Sequence, residues 1–383
     1  MFVKKLIMIN RSLHNILLNN LSNNKALFVM GARQVGKSSL LKMFSENIDS
    51  EKILWLNCDN IEDRKLLSNA TITDLKRAIG NKKYVFIDEA QRVINIGMSL
   101  KLITDQMDNI RLIVTGSSSF ELSNLTNEPL TGRKYEYRLF PFSVKECADH
   151  YGFLEEKRQF ENRLIYGSYP DVVINHGNER QILNNLVGSY LYKDIFIFQD
   201  LRKPELIEQL LEMLALQMGN EISYNELANS LQVDSATVQK YVSLLEKSFV
   251  IFRLRSFSRN VRNEIKKSRK IYFYDNGVRN AILENFNQLN LRTDRGALFE
   301  NYVISERKKY LHYNQIYAKT YFWRTTQQQE IDYIEEIDGK LSSFEIKFNS
   351  SKKVKQPLTF SKNYINSEFN IINSENFYDY MGI

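Results

Sequence analysis

The octapeptide Gly31-Ala-Arg-Gln-Val-Gly-Lys-Ser38 follows five apolar residues, Ala26–Met30, and leads into the helical stretch Ser39–Phe44. It matches G-x-x-x-x-G-K-[ST] at every fixed position, in the strand–loop–helix setting the pattern requires. Such a loop demands a buried strand before it and a helix N-terminus after it. The glycines let the backbone curl until its N–H groups converge on phosphate, and the helix end adds partial positive charge. The expected cradle is Gly31, Ala32, Arg33, Gln34, Val35, Gly36, Lys37, Ser38 and Ser39. Lys37 is placed to reach the β- and γ-phosphates of ATP, and Ser38 to bind Mg²⁺.

A second apolar run, Tyr84–Ile87, ends in Asp88-Glu89. Asp88 is expected to hold Mg²⁺ through water, and Glu89 to act as general base on the attacking water. Adjacent acids suit hydrolysis better than transfer to a small-molecule acceptor. The run Arg111–Thr115 leads into Gly116-Ser-Ser-Ser119, where Ser117 is the polar side chain expected between the acids and the γ-phosphate. Leu130-Thr-Gly-Arg133 offers Arg133 as an arginine finger, in cis or across the subunit boundary of a homo-oligomer. With Ile53–Asn57 added, the apolar runs alternate with helical patterns over the first 145 residues. This predicts an α/β fold, a P-loop NTPase parallel sheet with helices on both faces.

The length of 383 residues suggests about two to three domains. Hydrophobic residues make up 43% and charged residues 25%, as in folded soluble proteins. No apolar run approaches the length of a membrane span. The basic start, MFVKKLIMINRSLHNILLNN, is interrupted by Asn, Arg and His and reads as a helix rather than a secretion signal. Cys58 and Cys147 make no disulfide framework, so a cytoplasmic setting is expected. The net charge of +7 leans towards a polyanionic partner such as DNA.

GARQVGKSSL, FIDEAQ, TGSSSF, LTGR and LFPFS, in this order, resemble the AAA-type ATPases of bacteria and archaea related to the archaeal ATPase group. The similarity extends through GSYPDVV and YLYKDIF towards the C-terminus. It implies ATP binding and hydrolysis, with a C-terminal region of undefined function. The parts expected are a P-loop core over 1–145, a helical connector over 146–202, a winged helix over 203–280 and a nuclease-like α/β domain over 281–383.

The winged-helix expectation rests on local signals. Ser223-Tyr-Asn-Glu226 reads as a capping box opening the helix Tyr224–Leu231. Asp234 caps a second helix with Val238, Tyr241, Leu244 and Leu245 on one apolar stripe. Phe249–Leu254 and Lys270–Asp275 read as the strands of a wing. That places Asp234–Lys247 as recognition helix, with Lys240 on its outer face. From Arg253 to Lys270 eight cations face one acid, Glu264; Arg259, Arg262, Lys266, Lys267 and Arg269 are the candidate phosphate contacts. A protein-binding module with a merely solvated wing is the alternative.

Glu330–Ile337 and Lys340–Phe348 flank Asp338-Gly339, a two-residue hairpin signal. With that turn, Asp332 faces Glu345 and Glu330 faces Lys347 on one side of the hairpin. Two acids directly opposite repel, and a divalent cation between them turns repulsion into coordination. Glu300, in the helical stretch Gly296–Ile304, offers a third carboxylate. Helix acid, Asp332 and Glu345-Ile-Lys347 resemble the PD-(D/E)XK nuclease fold, although Glu-Ile rather than Pro precedes Asp332. The resemblance implies Mg²⁺ or Mn²⁺ on Glu300, Asp332 and Glu345, with Lys347 at the attacking water or phosphate. Two functions fit these signals. One is a DNA-associated ATPase with a nuclease-like domain; the other is an NTP-dependent scaffold switch whose C-terminal modules bind protein.

Overall fold

The computed structural model describes residues 8–21, 25–46, 48–117, 130–191, 204–258, 268–351 and 354–383. The chain divides into two compact units, 1–142 with 247–249, and 143–246 with 250–383.

The first unit is built on five parallel strands, β1 (Ala26–Met30), β2 (Ile53–Asn57), β3 (Tyr84–Asp88), β4 (Arg111–Gly116) and β5 (Lys134–Arg138). Their order is β2-β3-β4-β1-β5. Every residue of β1 is buried, as a strand covered on both faces must be. The helices are α1 (Ser12–Asn20), α2 (Lys37–Ser45), α3 (Ile61–Leu67), α4 (Ile72–Ile79) and α5 (Ile96–Gln106). α4 opens on a capping box, Thr71 with Asp74. Sequence patterning misses β5, because KYEYR is polar and half exposed at the sheet edge.

The second unit begins with α6 (Val144–Tyr151), α7 (Phe153–Arg158), α8 (Phe160–Tyr166), α9 (Pro170–Ile174) and α10 (Glu179–Asn185). Next come α11 (Pro204–Leu216), β6 (Glu221–Ile222), α12 (Tyr224–Leu231), α13 (Ser235–Lys247), β7 (Ile251–Ser256) and β8 (Arg269–Phe273). The chain closes with α14 (Asn276–Ile282), α15 (Arg295–Tyr313), β9 (Lys319–Arg324), β10 (Glu330–Ile337), β11 (Lys340–Lys347), α16 (Leu358–Asn363) and β12 (Ser367–Asn373).

Seven strands form one sheet, ordered β12-β11-β10-β9-β7-β8-β6. β7 pairs in parallel with β9 through Arg255↔Tyr321 and Ser256↔Phe322. The expected boundary between 203–280 and 281–383 therefore falls inside a continuous sheet, and the helix pair α12–α13 belongs to the same unit as the C-terminal strands. Strand β7 starts two residues later than expected because Phe249 turns the chain at φ 58°. Strand β8 stops early because Asp275 caps α14, accepting from Val278 N at 3.1 Å. At Ser223 only half of the capping box forms, with Oγ accepting from Glu226 N at 3.3 Å.

The hairpin register agrees with the two-residue turn: Ile337 pairs with Lys340 and Tyr333 with Phe344. Asp338 and Gly339 both have positive φ, 49° and 80°, as a type I′ turn needs. Among the described residues no helix is long and apolar enough to cross a membrane.

Candidate functional site

At the C-terminal edge of the first sheet, β1 runs into the phosphate loop. A Cβ on Gly31 would lie 2.2 Å from the Leu139 carbonyl oxygen, so only glycine fits there. Gln34 and Gly36 take positive φ, 60° and 94°, to close the loop before α2 begins at Lys37. Lys37 is 5% exposed, and its ammonium donates to the carbonyls of Gly31 at 3.0 Å and Ala32 at 2.8 Å. The loop, its lysine and its serine thus converge on one point.

Strands β3 and β4 deliver the remaining groups. Ser38 Oγ donates to Asp88 Oδ2 at 2.5 Å, and Thr115 Oγ1 donates to Asp88 Oδ1. These are the adjacent hard oxygens that suit Mg²⁺. Glu89 takes φ 55°, and its N–H donates to Thr115 Oγ1 at 3.2 Å. Gln91 Nε2 donates to Glu89 Oε2 at 2.5 Å and to Ser117 Oγ at 2.8 Å. Ser117 therefore reaches the Glu89 carboxylate through Gln91, and Thr115 links the Asp88 carboxylate to the Glu89 backbone amide. Neither Thr115 nor Gln91 stands out in the sequence as a site residue. The signal was present in FIDEAQ, where Gln91 follows Glu89 by two positions. Cys58 closes the back of the site, its N–H donating to the Asp88 carbonyl at 2.9 Å. Burial pushes its thiol up to about 12, consistent with a packing role.

Arg133 stands elsewhere. Its carbonyl accepts from Ala26 N at 2.9 Å, at the start of β1, and its guanidinium pairs with the Asp105 carboxylate. The phosphate loop begins at the other end of β1, roughly 16 Å away at the usual rise per strand residue. Service in cis is excluded; Arg133 lies at the wrong edge of its own sheet.

In the second unit the four C-terminal candidates come together, joined by residues from β8 and by Glu330. Lys347 Nζ lies 2.7 Å from Glu345 Oε1 and 3.2 Å from Asp332 Oδ2. Asp332 Oδ2 also accepts from Ile346 N at 2.8 Å. The ladder between β9 and β10 shifts register between Ile331 and Ile334, a bulge that re-aims the strand at Asp332. Lys270 Nζ lies 2.5 Å from Glu330 Oε1 and 3.6 Å from Glu300 Oε1. Tyr272 Oη donates to Glu300 at 2.7 Å. Arg324 stands 3.8 Å from both Glu330 and Glu221.

Five acids here face three cations, a surplus of two negative charges. Burial, reinforced by the nearby Asp332 charge, pushes the Glu300 carboxyl up to about 7 against the pull of Lys270. Glu345 is raised for the same two reasons. Burial opposes the Lys347 charge, yet Asp332 and Glu345 hold its ammonium above the ordinary range. The expected metal ligands Glu300, Asp332 and Glu345 are thus neighbours, but ammonium groups stand between the carboxylate pairs. Among the described residues no three His, Cys, Asp or Glu side chains are arranged to hold a metal ion. The donor chemistry fits a divalent cation, whereas this arrangement of it does not.

Three family models match successive stretches of the chain. Residues 23–148 match the AAA domain. Residues 157–289 match one domain of unknown function (DUF8612), and 295–380 another (DUF4143). Residues 23–148 form a P-loop NTPase domain of the AAA type. An uncharacterized protein of Mycobacterium tuberculosis is 25% identical over 338 residues, covering 87% of this chain and 72% of its own. One from Methanocaldococcus jannaschii is 26% identical over 329 residues, covering 80% and 70%. Among solved structures, the Walker-type ATPase of Pyrococcus abyssi aligns over 73% of this chain and 97% of its own, with TM-score 0.51 and 17% identity, a likeness of fold.

The AAA-type domain contains the whole phosphate site. The carboxylate cluster instead crosses two matched regions, with Lys270 and Tyr272 from one and Glu300 to Lys347 from the other. This corrects the assignment of Lys270 to a solvent-facing wing, since its side chain is 3% exposed and turned into the cluster. Arg253 is also committed, donating to Glu246 at 2.8 Å through Nε. Arg269 stacks over the Tyr224 ring at 4.9 Å, and Lys240 lies exposed on α13. Arg259, Arg262, Lys266 and Lys267 lie outside the described residues.

Proposed function

We propose that ATP hydrolysis in the AAA-type domain drives the action of the second unit on DNA. The observation carrying this reading is the hydrogen-bonded series Ser38–Asp88–Thr115–Glu89–Gln91–Ser117 beside the phosphate loop. Lys37 and the loop amides bind the phosphates. Ser38 and Asp88 would hold Mg²⁺, which supplies neutralising charge to the phosphate oxygens. Glu89 accepts the proton of the attacking water, and Gln91 orients that carboxylate while Ser117 anchors the amide. Arg133, turned away from its own site, serves a neighbouring copy in a homo-oligomer.

For the second unit, the helix pair α12–α13 with β7 and β8 supports a winged helix, and Lys240 and Arg269 would contact phosphates. The carboxylate cluster supports a phosphodiesterase site. Glu300, Asp332 and Glu345 would hold Mg²⁺ or Mn²⁺ once the ammonium groups give way; the ion would supply Lewis acidity. Lys347 then orients water or phosphate.

The ammonium-bridged arrangement itself favours a second reading. In it the cluster is a fixed ion-pair core, and the unit binds protein as an ATP-dependent scaffold. Incubating the full chain with duplex DNA and Mg²⁺ or Mn²⁺, with and without ATP, separates the two. Cleavage that Asp332→Ala removes supports the nuclease-like reading. Salt-sensitive DNA binding without cleavage retains the DNA reading alone, and no binding at all supports the scaffold.

A further inference from the structure

Arg11 precedes α1 and is 5% exposed, a rare burial for a guanidinium. Its Nη1 donates to the Val35 carbonyl at 2.7 Å, and Nη2 to the Phe140 carbonyl at 2.6 Å. The same group lies 4.7 Å over the Phe142 ring. A Cβ on Gly36 would sit 3.4 Å from Nη1, so the guanidinium lies directly behind the phosphate loop.

The geometry has a chemical consequence. In a trans peptide the C=O and the following N–H point in opposite directions. A donor that fixes the Val35 carbonyl from behind therefore aims the Gly36 N–H forward, into the phosphate cradle. A cationic donor also polarises that peptide and strengthens the N–H it presents. The second bond runs to a fixed base. Leu139 N donates to the Met30 carbonyl at 2.7 Å, and the Leu139 carbonyl is the atom that forbids a side chain at Gly31. Arg11 and the segment 139–142 thus grip the loop at both ends. Phe142 is also the last residue of its stretch of the first unit, and Ser143 opens the second.

We infer that Arg11 is a positioning residue for the nucleotide, fixing the Val35–Gly36 peptide and joining the phosphate loop to the segment that leads into the second unit. The inference rests on nucleotide binding at the P-loop. By reciprocity, a nucleotide that orders the loop also tightens 139–142.

The test uses the full chain and a fluorescent ATP analogue. Arg11→Ala is expected to weaken ATP binding between tenfold and about a hundredfold, the range of a lost charge-assisted hydrogen bond. Arg11→Lys reaches one carbonyl and gives an intermediate loss. Leu17→Ala, in the buried face of α1, lowers Tm but leaves ATP affinity within about twofold; this separates positioning from general loosening. Hydrogen exchange supplies a second readout if Arg11→Ala does not fold. ATP should slow exchange at 139–142 in the wild type, and Arg11→Lys should lose that protection while retaining some at the loop. A folded Arg11→Ala protein with wild-type affinity overturns the inference, as does wild-type protection that stops at the loop. A wild-type chain that binds no ATP overturns the underlying reading as well.

Discussion

Asp88 and Asp332 are both buried acids on strands next to a lysine-bearing element, but they keep different company. Asp88 receives hydrogen bonds from two hydroxyls, Ser38 and Thr115. Asp332 receives them from the Ile346 amide and the Lys347 ammonium. A hydroxyl partner is neutral and is exchanged for a metal-bound oxygen at little cost. An ammonium–carboxylate pair in a buried setting is costly to break, because removing one partner strands the other. The phosphate site is therefore assembled around neutral hydroxyls, while the carboxylate cluster is assembled around its own ammonium groups.

The largest test of this difference is Lys270→Met. It leaves Glu300 and Glu330 facing one another without their shared cation, and should cost about 3–5 kcal/mol in denaturant unfolding. A loss below about 1 kcal/mol would mean that the pair is not the structural element its burial implies. Lys37→Ala should do the opposite. Stability should stay within about 1 kcal/mol, while ATP affinity falls by about 10²–10³, as two charge-assisted contacts to phosphate are lost. Equilibrium binding together with a melting curve measures both; unchanged affinity would break the comparison.

A pH series sharpens it further. Glu300 titrates near 7 in the folded chain against 4.5 normally. Between those values the folded state keeps a proton that the unfolded chain has released. Its contribution to stability is therefore greatest at the acid end and falls as pH rises. Glu300→Gln should flatten that part of the Tm-against-pH curve, and an unaltered slope would refute the assignment. The smallest effect is expected at α13 and β8, the elements of the proposed winged helix. Lys240→Ala and Arg269→Ala should each lower the salt dependence of DNA binding by about one unit of slope. Salt-titrated binding curves that superpose on the wild type would remove these residues from the interface.

What the sequence disclosed follows from how each site is built. The phosphate loop is contiguous, and its strand and helix adjoin it, so periodicity and motif agree on one geometry. The hairpin register was readable because Asp338 and Gly339 both accept positive φ and so fix a two-residue turn. The choice between cis and trans service for Arg133 is not legible in the sequence for a related reason. The strand after it, β5, is polar and went unrecognised, and a loop that precedes a parallel strand lies at the edge opposite the phosphate loop. Lys270 reads as a wing cation in the sequence because strand alternation tells which residues share a face but not which face is covered. The covering helix α15 lies more than twenty residues further on. Arg11 carried no signal at all, since its partners are backbone carbonyls distant in sequence.

The central claim is that hydroxyl-held Asp88 and amide-held Glu89 form a working hydrolytic site. Single-turnover and steady-state ATP hydrolysis by Glu89→Gln tests it most directly. The substitution keeps the shape of the side chain and its contact with Gln91 but removes the base. ATP affinity should stay within about twofold of the wild type, and turnover should fall by about 10²–10⁴, the usual contribution of a general base. Wild-type turnover in the Glu89→Gln protein would contradict the account.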